Sequence, residues 1–446
     1  MAIEPRSRRP DVVDIPDHVW ASDRLSPYLA GLADKHGPIF AFVPAAGPHR
    51  GQSVVYMVGP DANRFVFLTG REHFSHDLGW TPVVGDTLGH GLLNMDPPEH
   101  TRHRALMNPA FTTTFMAAYL PLMQRIIGER TASWVDQPEI DLMVEAREIT
   151  FDVAAAALVG FRTGPQVDWL RERFYMLLRG DPRHADEDWE QFVQRQLEVR
   201  DELQSKLLEL IAERRASASG ASREDVLGML VSARDEDGKS LSDEQLLAHV
   251  NILLVAGHET TTTLGAWVLY LLMRNPEYAA RVDAELRSVL DDRPLASESL
   301  YRLPILSAAI REAGRLQSPV LLLPRGVLSD FEFGGRFVEA GSHVFVAIAA
   351  GHRLASVFAD PDRFDPDRFL PPREEDRRTP YALATFGGGP RICLGINFAQ
   401  VEVMALTAHV RRHFALHPVN DEPIVQFGGI LPGLPNGIPV RVTPLA

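Results

Sequence analysis

The chain has 446 residues, 45% of them hydrophobic, a formal net charge of −14 and one cysteine. Such a length and apolar fraction allow a large buried core, and the acidic balance argues against nucleic acid or an anionic membrane as a main partner. A single cysteine excludes an internal disulfide and any on-chain four-cysteine cluster or zinc site.

The N-terminus (MAIEPRSRRPDVVDIP) is charged and proline-bearing, without the apolar centre of a signal peptide, and residues 1–30 show little pattern. Residues 38–42 and 53–58 read as two strands, followed by a helix from about Pro60. Scattered glycines and apolar side chains over 72–93 predict an irregular lid. From Pro97 to about Glu312 the periodicity is overwhelmingly helical, with SASGASRE at 217–224 as the candidate mobile loop. Strand patterns return at 331–333, 343–348 and 437–442. No repeat or low-complexity linker interrupts the chain. The expected class is mainly α, with small sheets assembled from distant segments.

Several stretches have chemistry in them. DPPEHTRHR at 96–104 opens a helix with prolines and acids in its first turn, and His100 and Arg104 share one face. By themselves they fit an exposed basic face equally well. Ser242 and Gln245 form a capping-box pattern, and no Gly or Pro follows until Gly257; Asn275-Pro276 ends the helix. The span is roughly 30 residues, about 45 Å at 1.5 Å each. Its most apolar part, 252–273, contains His258, Glu259 and four successive threonines, which favours a buried helix over a membrane span. The polar cluster Ala256-Gly257-His258-Glu259-Thr260-Thr261 is functional, or it merely bonds back to the preceding turn. His258-Glu259 starts like a zinc-protease H-E-x-x-H, but position 262 is threonine. Gly238-Lys239-Ser240 ends like a P-loop, but residue 233 is alanine and no strand precedes it. Glu312 and Arg315 stand at i, i+3, a common helical ion pair, followed by Arg325.

Last comes Phe386-Gly387-Gly388-Gly389-Pro390-Arg391-Ile392-Cys393-Leu394-Gly395, a tight loop before a helix over 396–413 with Phe398, Val401, Met404, Ala405 and Ala408 at helical spacing. A helix N-terminus lowers a nearby thiol pKa, so Cys393 is placed to meet an electrophile or a metal; the plainer reading is a small buried hydrophobe.

The spacing Phe386-x-x-Gly389-x-Arg391-x-Cys393-x-Gly395 resembles the haem-ligand signature of the cytochrome P-450 family. Ala256 to Thr261 resembles the family's distal-helix motif, and the other motifs follow in the family's order. The resemblance implies an α-rich lobe plus a smaller β-rich region, a single domain over 1–446 with no fused reductase or ferredoxin domain, and haem b (iron protoporphyrin IX) as cofactor. Cys393 becomes the axial ligand. Phe386 and Gly387 lie under the haem, and Gly389 and Gly395 let the backbone turn close to it. His100, Arg104, Arg325 and Arg391 face its propionates. Ala256 and Gly257 allow a flat approach on the other side. The Thr260 hydroxyl bonds an upstream carbonyl, opening a local bulge for dioxygen, and Glu259 relays protons. His258 fills a variable position without a role. Glu312, Arg315 and Arg368 form a structural ion-pair group. Where the family often has Asn-Arg-Asp, this chain has His352-Arg353-Leu354.

By the same resemblance the pocket is lined by Trp80, Val83, Val84, Leu88, Val255, Val320, Leu321, Leu323, Ile430 and Leu431, which suits a hydrophobic small molecule. The expected activity is hydroxylation or epoxidation with O2 by a soluble, cytoplasmic monomer without a membrane anchor. Electrons would come from a separate ferredoxin or flavodoxin and its reductase, docking on Arg102, Arg391, Arg411 and Arg412. A peroxide-driven peroxygenase is the alternative on the same fold, although such relatives typically lose the acid–threonine pair kept here. A non-catalytic haem-binding or sensor protein is the third reading.

Overall fold

The structure, a computed structural model, describes residues 8–445 apart from 21, 45–48, 162, 180–188, 218–224 and 425–436. Helix dominates. The helices that position the site are α1 (Leu25–His36), α2 (Asp77–Leu88), α3 (Glu99–Met107), α4 (Leu142–Val159), α5 (Pro165–Arg179), α6 (Asp243–Arg274), α7 (Pro304–Leu316) and α8 (Ile396–His413). Among the described residues, no helix is long and apolar enough to cross a membrane.

Ten strands are described: β1 (Ile39–Phe42), β2 (Val54–Met57), β3 (Phe74–Ser75), β4 (Ile140–Asp141), β5 (Leu323–Val327), β6 (Phe331–Phe333), β7 (Arg336–Val338), β8 (His343–Val346), β9 (Phe414–Pro418) and β10 (Pro439–Pro444). The main sheet has the order β1-β2-β8-β5-β3, with β2 parallel to β8 and the other pairs antiparallel. β2 is buried on both faces, which explains its unbroken Val-Val-Tyr-Met run. Val54 and Tyr56 face one core, which includes Leu25 and Leu29 of α1. Val55 and Met57 face another, with Phe74, Val344 and Val346. The remaining sheets are β4-β10-β9 and the hairpin β6-β7.

The 32-residue α6 runs about 48 Å. Ser242 and Gln245 close the expected capping box, with Gln245 N donating to Ser242 Oγ (3.2 Å) and Ser242 N to Gln245 Oε1 (3.0 Å). On α4, Thr150 Oγ1 meets Thr262 Oγ1 of α6 at 2.6 Å, so the threonine run is satisfied at this seam.

The region expected as an irregular lid contains α2 instead. Gly79 is why: a Cβ there would lie 2.6 Å from the Pro324 carbonyl of β5, and one on Gly326 would lie 2.3 Å from Leu78. The two glycines let α2 lie directly on β5, and that docking outweighs the poor helix propensity of Gly79, Pro82 and Gly85. The stretch 217–224 falls almost entirely outside the described residues.

Candidate functional site

The Cys393 loop is closed by its own backbone. Cys393 N donates to the Phe386 carbonyl (2.8 Å) and Gly387 N to the Ala384 carbonyl (2.8 Å). Gly389 has φ +61°, and a Cβ there would lie 2.1 Å from the Phe67 carbonyl. Phe67, not a macrocycle, therefore imposes glycine at 389. A Cβ on Gly395 would meet nothing within 4 Å.

The Cys393 side chain is accessible to water, yet protein surrounds it. Ala256, exposed in the middle of the otherwise buried α6, has the same character. Phe386 and Gly387 share a cavity of about 270 Å³ with Leu264, one turn beyond Thr260, so the loop and the long helix abut. Enclosure pushes the Cys393 thiol up from its ordinary value, more than the Gly395 N–H and Arg104 pull it down. The expected lowering at the helix N-terminus is thus reversed by burial.

Two arginines and two histidines gather beside this loop. Arg325, on β5, is buried and donates through Nη1 to the Pro324 carbonyl (2.7 Å). Burial, followed by Arg391, drives its pKa down to about 9. Arg391 donates to the Leu92 carbonyl (3.3 Å) and the Met95 carbonyl, and is driven down to about 10 by burial and Arg104. His100, 5% exposed, is held near 3 by burial, then by Arg391 and Arg104. His76 is held well below its ordinary range by burial, Arg325, Arg391 and His100. Against these groups stands Asp96, 3.8 Å from Arg391 and already accepting from Ser75 Oγ (2.5 Å) and His76 N (2.7 Å). A buried corner with this excess of positive charge suits a ligand bearing carboxylates, as the haem propionates are. An enclosed thiol and a carboxylate-seeking corner on one loop fit haem b.

Arg104 also has partners within the protein. Its Nη1 donates to the Ile392 carbonyl (2.7 Å) and its Nε to Asn108 Oδ1 (3.0 Å), so it straps the peptide before Cys393 to α3.

On α6, Thr260 Oγ1 donates to the Ala256 carbonyl (2.8 Å), as expected, but the helix runs unbroken and no bulge opens. Ala256 is exposed, whereas a Cβ on Gly257 would lie 3.7 Å from Leu158 of α4. Glu259 Oε1 lies 3.3 Å from Arg147 Nε of α4 and 3.3 Å from His258 Nε2.

Glu312 is fully buried and receives Arg315 (2.7 and 2.9 Å), Arg368 (3.1 Å) and the Asp365 N–H (2.8 Å). Arg315 continues to the His352 carbonyl (2.8 Å), while His352 Nε2 accepts from Ala384 N (2.9 Å). The histidine that departs from the family pattern thereby ties the ion-pair group to the cysteine loop.

Among the expected pocket residues, Trp80, Leu88 and Val255 are buried. Val84 packs against the helical core, and Val320 and Leu323 against the sheet. Val83 is 42% exposed. Leu321 sits instead in the core with Ile15 and Leu25 and lines a separate cavity of about 380 Å³ there. Ile430 and Leu431 lie outside the described residues.

The expected basic patch does not form. Arg102 pairs with Asp235 (2.5 Å), Arg411 with Asp283 (2.6 and 2.9 Å), Arg412 binds the Asp291 and Arg293 carbonyls, and Arg391 turns inward. His76, Asp96, Arg147 and His352 are site residues that sequence reading missed. Each acts through a partner distant in sequence, and no local spacing marks them.

The family model described as Cytochrome P450 matches residues 17–436. Putative cytochrome P450 136 of Mycobacterium tuberculosis is 31% identical over 395 residues, 87% of this chain and 78% of the relative. Sterol 14alpha-demethylase of Mycolicibacterium vanbaalenii is 29% identical over 378 residues, 81% of each. Retinoic-acid-bound cyanobacterial CYP120A1 superposes with a TM-score of 0.84 at 26% identity, over 98% of this chain and 99% of that one.

Proposed function

The chain belongs to the cytochrome P450 family of haem b monooxygenases, and from that premise we propose that Cys393 holds the iron while Thr260 and Glu259 manage protons on the opposite side. When bound, the haem supplies the redox chemistry: O2, two electrons and two protons yield one oxygen atom in the substrate and one water. Cys393 Sγ would hold the iron as the thiolate, because a metal ion's charge would outweigh the burial that otherwise favours the thiol. Arg325, Arg391, His100 and His76 orient the cofactor through its carboxylates. Because Thr260 spends its own proton on the Ala256 carbonyl, its oxygen is left to accept a further hydrogen bond. Glu259 passes protons to that place from its partly exposed position. Apolar walls exclude bulk water.

The observation that supports this reading most is the enclosed Cys393 thiol beside a buried excess of positive charge. The substrate we assign is a hydrophobic or amphipathic small molecule. Sterols and retinoids are the first to try, given the names of two similar proteins. Electrons come from a separate redox protein.

The test is to reduce the haem-loaded protein and add carbon monoxide. The strongly red-shifted Soret band of thiolate ligation is expected, and Cys393→Ser should abolish it. Its absence from well-folded, haem-loaded wild type would refute the ligand assignment. Titrating sterols and retinoids against the ferric spectrum then identifies binders. Thr260→Ala should retain haem yet divert electrons to peroxide; unchanged coupling removes Thr260 from the mechanism.

A further inference from the structure

His258 is fully buried in α6, and its Nδ1 lies 2.6 Å from the Leu254 carbonyl one turn back. A carbonyl only accepts, so Nδ1 carries a hydrogen and donates it. Nε2 is then the atom that faces Glu259 Oε1, 3.3 Å away. Among the described residues Nε2 has no other hydrogen-bond partner. A bare Nε2 and a carboxylate oxygen would turn lone pairs on each other in a site with little water. That contact becomes favourable when a proton stands between them.

The walls of the site are known. Phe151 of α4 meets the imidazole edge-on with centroids 5.0 Å apart, and the Tyr175 ring of α5 lies 6.1 Å away, tilted. Arg147 of α4 places its guanidinium 5.7 Å from the centre of the Tyr175 ring and its Nε 3.3 Å from Glu259 Oε1. Among the described residues, the charged or titratable groups placed around the histidine are Glu259, Arg147 and Tyr175. Arg147 fixes the carboxylate from one side and His258 from the other. Glu259 is 14% exposed, although its Oε1 is buried, and His258 is not exposed at all, so the carboxylate is the more open end of the pair.

We propose that His258 and Glu259 hold one proton in common between Nε2 and Oε1, which makes His258 a positioning residue that orients the acid and keeps it charged with a proton. The inference rests on reading Glu259 as the relay acid. In use, the shared proton leaves through Glu259, the pair becomes carboxylate plus neutral imidazole, and a proton from water restores it.

The test uses the haem-loaded, reduced, carbon monoxide-bound protein, which is diamagnetic, labelled with 15N-histidine. The His258 signals are assigned by their loss in His258→Gln. At pH 7.5 both nitrogens should appear protonated or in exchange with a proton. In Glu259→Gln the amide itself donates to Nε2, so Nε2 should move to the range of a bare acceptor. A bare Nε2 in the wild type overturns the proposal. The second arm measures coupling of electron use to product against pH. His258→Leu should shift the alkaline fall in coupling about one unit toward acid, about tenfold in the proton affinity of Glu259. Adding it to Glu259→Gln should cost nothing more. If Glu259→Gln leaves coupling unchanged, the relay reading falls and the positioning role with it, whatever the spectrum shows. If Glu259→Gln uncouples turnover while wild-type Nε2 is bare, the relay stands and the shared proton does not.

Discussion

At Cys393 the fold and the chemistry pull in opposite directions, because burial raises the thiol pKa while ligation needs the thiolate. Haem-free protein should therefore react with iodoacetamide at pH 7.5 more slowly than a free cysteine does. Haem-loaded protein should hardly react at all; alkylation as fast as in the unfolded chain contradicts the enclosure described. Replacing Arg104 with Ala removes both a nearby cation and the strap on the Ile392 carbonyl, so the haem-free thiol should titrate still higher. Cys393, Thr260 and Glu259 could be proposed from sequence because each sits in a short contiguous pattern. His76 and Arg147 were not, since nothing in their own neighbourhoods says that they meet Arg325 and Glu259 in space.

Between elements, the Glu312 group is the decisive junction of α7 with the segment ahead of the cysteine loop. Its three charged side chains are fully enclosed, and Glu312 serves both arginines. Glu312→Ala strips Arg315 of its carboxylate partner and leaves Arg368 only Glu375 at close range, 2.8 Å, so it should cost about 3–5 kcal/mol, read from urea unfolding of the haem-loaded protein. The pair Arg281–Asp367 is also bidentate, at 2.8 Å twice, but is nearly half exposed. Breaking it should cost at most about 1 kcal/mol by the same assay. Equal losses at the two places would mean that burial is not what matters. Sequence reading found α6 because caps are local signals, with Ser242 and Gln245 at one end and Asn275 at the other. It missed α2 because Gly79 makes sense only once β5 lies against it.

Over the whole molecule, several histidines are buried neutral. His249 and His352 are held near 3 and His409 near 4, burial being the main cause in each. Unfolding frees them to bind protons at their ordinary value near 6.5, so the unfolded chain takes up more protons below that pH. Stability is thus complete above about 6.5 and lost as the pH falls toward 3. For the fully enclosed His249 and His352 the slope is about 1.4 kcal/mol per pH unit each. Thermal melts from pH 7.5 to 4.5 should fall steadily; a flat profile sinks this account. His100 belongs with them in haem-free protein, and on the proposal that it faces a haem propionate its pKa would rise and its share shrink. Part of the acid sensitivity should therefore disappear on reconstitution. The same corner has a consequence for the cell. Arg325 and Arg391 carry buried positive charge that, among the described residues, Asp96 alone faces with a carboxylate, so acquiring a tetrapyrrole with its carboxylates brings the newly made chain's interior closer to electroneutrality. Protein made in iron-starved cells should be cleared by proteolysis, and its yield should follow porphyrin biosynthesis more closely than transcript level.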